Sequence, residues 1–126
     1  MTPHQQDDLY ERLIELSQEA LVSGHYETAY HVLTAARHYA QDIGDEQCLR
    51  LVEQTANAQQ SWIDEHSPEH RMSTQATVER SGVKFYETLA RQAAAHVLIL
   101  RQEHRREHTE RLPWPGDARS SETNTG

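Results

Sequence analysis

An all-α fold, arranged as an antiparallel four-helix bundle, is predicted by three observations. Breakers are scarce, with five Gly and four Pro in 126 residues, and two of those Pro fall in the single segment Leu112-Pro113-Trp114-Pro115-Gly116. Ala, Leu, Glu, Gln and Arg dominate the stretches between breakers, which favours helix over strand. Within those stretches apolar residues return every three or four positions, the repeat of one helix face. The length suits one domain with one core. Residues 1–116 are expected to form it, and the small polar residues 117–126 to remain a disordered tail. Hydrophobic residues make up only 36%, so much of each helix must face water.

The first helix starts at Thr2-Pro3, with Thr2 as N-cap and Pro3 in the first turn. Leu9, Leu13, Leu16 and Ala20, widened by Ile14 and Leu21, give its apolar stripe, and Gly24 ends it. Ala29, Val32, Leu33, Ala36, Ala40 and Ile43 form the face of the second helix, which Gly44 stops. So short a break forces the two helices into a hairpin. Asp45 caps a third helix carrying Cys48, Leu49, Val52, Ala56 and Ile63, which ends near Ser67-Pro68. Ser73 or Thr74 starts a further turn. The fourth helix repeats Val83, Tyr86, Ala90, Ala93, Val97, Leu100 and His104 at alternating three and four, with Phe85, Leu89, His96 and Ile99 alongside. Residues 93–100 are apolar nearly all round, so this segment is expected to be surrounded by helices, with His96 buried. Arg101 to Arg111 is charged on every face and is expected to project beyond the core.

Leu13, Leu16, Ser17 and Ala20, then Gly24, Tyr26, Ala29, Leu33 and Ala36, stand at the positions of a helical repeat motif centred on Gly24-His25-Tyr26-Glu27-Thr28-Ala29-Tyr30. Residues 13–41 thereby resemble one tetratricopeptide repeat, although Ala20 replaces an aromatic residue and Gln41 the closing Pro. No second copy follows, so residues 45–111 either continue the repeat in degenerate form or complete a bundle; the bundle is the expectation. The resemblance implies a scaffold that presents a helical surface to a protein partner, and it implies no catalytic residues.

Net charge is −8. Residues 1–70 hold thirteen acidic residues against three Arg, whereas residues 71–126 hold nine basic against seven acidic. The halves can attract each other within one molecule or between two, which makes a homodimer one candidate assembly. The acidic half weighs against nucleic acid as a partner. One Cys, Cys48, excludes an intramolecular disulfide and suits a reducing compartment. No leader opens the chain and no apolar run approaches the ~20 residues that span a bilayer, so the expected location is the cytoplasm, with no membrane partner.

Several constellations invite a chemical reading. His104-Arg105-Arg106-Glu107-His108 matches His-x-x-Glu-His, two His one turn apart with a Glu between, the pattern of inverted zinc peptidases. A charged helix end without a placed third ligand makes a solvated face the better reading, so neither metal nor cofactor is expected. His31 and His38, two turns apart, and His66 and His70, on either side of Pro68, are also read as surface residues. Residues 73–83 echo a helix-turn-helix, which would make residues 71–111 a nucleic-acid-associated regulator; this is the alternative function, ahead of a metal-dependent hydrolase. Trp114, between two Pro, either packs on the bundle or docks a partner. The leading expectation is a non-enzymatic interaction scaffold, adaptor or assembly factor, with His31, His38, Arg101, Arg105, Arg106 and Trp114 as partner-binding candidates.

Overall fold

The computed structural model describes residues 3–76 and 84–111, with side chains from Leu9 to Ala76 and from Lys84 to Glu107. The expected cap at Thr2, the stripe position Val83, Trp114 and the tail 117–126 lie outside the described residues. Four long helices are described: α1 (Pro3–Val22), α2 (Tyr26–Ile43), α3 (Glu46–His66) and α4 (Phe85–Arg111). A further turn begins at Thr74. Among the described residues there is no strand, as an all-α fold requires.

The helix ends follow from local chemistry. Gly24 and Gly44 adopt φ of 85° and 66°, left-handed values that a side chain would strain. At Gly44 the backbone N–H turns back onto the carbonyls of Ala40 and Gln41, which satisfies the end of α2. Asp45 accepts a hydrogen bond from the backbone N–H of Cys48 at 3.0 Å, capping α3 one residue after the glycine. Ser73 does the same for the turn at Thr74, accepting from the N–H of Ala76 at 3.1 Å.

α1 packs on α2 and α3 packs on α4, forming two pairs, and α2 joins them by contacting α3 and, less extensively, α4. α3 also reaches α1, because the Tyr10 hydroxyl donates to the Cys48 carbonyl at 2.7 Å. Small residues allow the close approach: Ala29, Ala36, Ala40, Ala56 and Ala93 have no exposed surface. Around them Leu33, Leu49, Val52, Ile63, Leu89 and Tyr86 fill the core.

One polar chain ties this core together. The Tyr86 hydroxyl of α4 donates to Gln59 Oε1 of α3 at 2.7 Å. Gln59 Nε2 donates to Ser17 Oγ of α1 at 2.8 Å and to Gln18 Oε1 at 3.2 Å. Ser17 Oγ donates to the Ala29 carbonyl of α2 at 2.7 Å. Burial, with the nearby Tyr30 as a lesser cause, pushes the Tyr86 hydroxyl well above the ordinary tyrosine range, so it stays a proton donor.

Two expectations are corrected. The core face of α1 is Tyr10, Ser17 and Leu21 with Leu13 and Ile14 partly covered, whereas Leu9 and Leu16 are exposed. Two polar residues that find buried partners thus turned the helix away from its most apolar stripe. Residues 93–100 are not surrounded either: Leu98 is 58% exposed and Ile99 45%. The reason is that, among the described residues, the helices packed on α4 are α3 and α2, which cover one side of it. His96 is half-buried for the same reason. The stripe Tyr86, Ala90, Ala93, Val97 and Leu100 does face the core. Arg101 pairs with Glu46, the first residue of α3, so the ten residues after it extend past that helix by about 15 Å at ~1.5 Å per residue.

The polar chain predicts a coupled pair. Gln59→Leu strands the Tyr86 hydroxyl in the core and is expected to cost roughly 1–3 kcal/mol. Adding Tyr86→Phe removes the stranded donor, so the double variant should lose less than the sum of the two single losses. Urea melts of the four proteins measure this, and additive losses would show that the two side chains do not act as one unit.

Candidate functional site

Residues 67–76, which follow α3, are held in place largely by side-chain hydrogen bonds. Asp64 of α3 accepts from both the backbone N–H and the hydroxyl of Thr74, each at 2.7 Å. Gln60 Nε2 donates to the Met72 carbonyl at 3.1 Å, and the Ser73 hydroxyl donates to the Pro68 carbonyl at 2.6 Å. His70 Nδ1 accepts the Met72 N–H at 3.0 Å, which leaves the ring proton on Nε2. The His70 ring stands edge-on to Tyr26, 4.7 Å between centroids, while the Tyr26 hydroxyl meets Ser67 Oγ at 2.7 Å. Met72 and Ala76 are buried and fixed as a result.

Facing them across a cavity of about 330 Å³ are Tyr30 and His31 of α2 and Phe85 at the start of α4. Tyr30 is the centre of an aromatic cluster, with edge-on contacts to Phe85 at 5.6 Å, Tyr86 at 5.5 Å and His31 at 5.2 Å. Phe85 remains 41% exposed although it touches the cluster. The Glu27–Arg71 ion pair and the His31 ring supply the polar groups of the rim. An apolar floor with few polar groups at its edge suits an apolar side chain presented by a partner.

Of the five sequence candidates whose side chains are described, His31 alone lines this cavity. His38 is exposed farther along α2, its Nε2 3.4 Å from Arg37 Nη2. Arg101 is bonded to Glu46 at 2.7 Å, and Arg105 and Arg106 are exposed beyond it. Arg101 follows Phe85 by sixteen residues, about 24 Å along α4 at ~1.5 Å per residue, so the described candidates do not form one site. His104 is exposed, and the side chain of His108 lies outside the described residues. Among the described residues no three His, Cys, Asp or Glu converge as metal ligands. His66 stacks on Trp62 at 3.8 Å, with its Nδ1 3.0 Å from the Trp62 carbonyl, and is not directed at His70. No described helix is long and apolar enough to cross a membrane.

Sequence reasoning missed Tyr30, Met72 and Phe85 as site residues. A signal existed for the first and last. Tyr30 follows Tyr26 by one turn, and Phe85 lies about 100° around the helix from Tyr86 and off the core stripe. No protein-family model, curated protein or solved structure matches the chain.

Phe85 and its neighbour Tyr86 should separate in their cost of removal. Tyr86→Ala is expected to lose about 3–5 kcal/mol, as for a buried aromatic. Phe85→Ala should lose less than about 1.5 kcal/mol, because much of its ring already meets water. Equal losses in urea melts would mark Phe85 as a core residue and not part of a receptive surface.

Proposed function

We propose that this chain is a non-enzymatic protein-interaction module whose Tyr30–Met72–Phe85 cavity receives an apolar side chain from a partner segment. The observation that carries this reading is the exposed Phe85 ring beside a rigid, largely apolar cavity. A preformed site costs little ordering on binding, and one anchor residue in a pocket supplies much of the affinity in peptide recognition.

The pairing of helices supports the same reading. α1 with α2 and α3 with α4 make two hairpins, and α3 lies against the first hairpin as the leading helix of a next repeat would. Within the described residues α1 and α4 make no comparable contact, whereas a closed four-helix bundle would pack its first helix on its last. We therefore read residues 3–111 as two stacked tetratricopeptide-like hairpins, the second degenerate in sequence, rather than as the closed bundle.

The nucleic-acid alternative draws less support. Arg71 pairs with Glu27, Arg91 and Lys84 with Glu87, and Arg101 with Glu46, so the basic residues of 71–111 are interleaved with carboxylates. A phosphate backbone favours an unbroken basic face.

Selection of binders from a random peptide display library against the full chain tests the proposal. The expected binders share a large apolar or aromatic anchor, and Phe85→Ala should weaken them by roughly tenfold or more. No recovered binders, or binders indifferent to Phe85→Ala, would end the case for this cavity.

A further inference from the structure

A second recess lies on another side of α4, between it and α3. Ala94, Val97 and Leu98 form its apolar wall, Arg50 and Arg101 flank it, and Glu53 also borders it; its volume is about 430 Å³. Both guanidinium groups reach the same Glu46 Oε1 at 2.7 Å, so two positive charges share one carboxylate. Arg91 and Arg105 continue the Leu98 face at alternating spacings of three and four, which makes this the most basic stripe of an otherwise acidic protein.

The complementary surface is on α1. Leu9 and Leu16, 39% and 51% exposed, stand two turns apart on one face, and the exposed Glu15 and Glu19 lie beside them. α1 carries five acidic residues against Arg12 alone. The fold already contains the docking geometry once. α3 lies against both helices of the first hairpin, packed on α2 and hydrogen-bonded to Tyr10, Ser17 and Gln18 of α1. The α3–α4 hairpin offers an equivalent recess, and no helix of the described residues occupies it.

We infer that α1 of a second copy of this chain docks in the groove between α3 and α4, its Leu9 and Leu16 on Leu98 and its carboxylates toward the arginines. The contact is head-to-tail, because each copy uses two different faces. The acidic α1 steers the encounter, and the leucines, unpaired in one chain, supply the apolar area. Growth stops when a ring closes or when every groove in solution has met an α1.

Sedimentation velocity on the full chain, from micromolar to roughly millimolar concentration, provides the test, in low salt and in about 0.5 M salt where screening acts over a few ångströms. The expected result is a mass above one chain that rises with concentration and falls with salt. Leu16→Asp and Leu98→Asp alter exposed residues, so each should keep the helical signal and the melting temperature yet sediment as a monomer. Mixed in equal amounts, the two variants should form a two-chain complex, because one retains an intact groove and the other an intact α1. A wild-type chain that stays monomeric throughout overturns the inference. Association that survives both substitutions assigns it to another surface, and monomeric variants that fail to complement each other rule out the head-to-tail contact.

Discussion

Gln59 has no exposed surface, and its amide sits where four helices meet. An amide buried without partners costs several kcal/mol, on the order of 2–7 depending on the reference. Here the carbonyl oxygen accepts from Tyr86 and the nitrogen donates to Ser17 and Gln18. The Ser17 hydroxyl then donates to a backbone carbonyl on α2. Every donor in the chain points the same way, from α4 through α3 and α1 to α2, so no member competes with another. A one-residue slip of α3 would carry the amide about 100° around the helix and break all three bonds of Gln59 together. Apolar contacts hold the helices in proximity, but they tolerate such slips; the hydrogen bonds do not. The alanines complete the device, since the short Ser17 side chain reaches the Ala29 carbonyl only where the two helices nearly touch.

This dependence on polar partners explains which parts of the fold were legible in the sequence. Gly24, Gly44, Asp45 and Ser73 act within a few residues of themselves, and their caps stand where their chemistry places them. The faces of α2 and α3 were legible because their core residues are mostly apolar. α1 was not. Its face is set by Tyr10 and Ser17, whose partners are Cys48, Ala29 and Gln59, and a count of apolar positions treats both as indifferent or outward. α4 failed in the opposite sense, because apolar residues all round a helix were read as neighbours all round it, and the described helices supply them on one side. The cavity at Tyr30 was hidden for a third reason. It is assembled from α2, the segment at Met72 and the start of α4, and spacing along the chain carries no information about that meeting.

The charge asymmetry of the sequence has a visible outlet in the fold. The pairs Arg71–Glu27 and Arg101–Glu46 each join a base of the second half to an acid of the first, one pair near each end of the molecule. All four partners are at least partly exposed, so each pair contributes little stability. Their effect is on selection: they favour the arrangement that brings the basic face of the later helix beside the acidic earlier helices. The same pairs interrupt what would otherwise be a basic surface.

The apolar residues left outside follow from how the helices are layered. In a closed bundle the outer stripe of the first helix and the outer stripe of the last cover each other. Here α2 and α3 lie between α1 and α4, and Leu9 and Leu16 on one flank are separated from Leu98 on the other. Among the described residues no further helix is spare to cover either flank. Phe85 is open for a different reason, since it lies about 100° around α4 from Tyr86 and off the stripe that faces the core. The exposed residues therefore divide into two kinds. Phe85 lines a cavity whose walls are fixed by Asp64, Gln60 and Ser73, a surface shaped for something small and apolar. The leucines lie on helix flanks whose natural complement is another helix. Phe85 and Leu98 occupy different sides of α4, so under the proposed reading a partner segment in the cavity leaves the α3–α4 groove accessible.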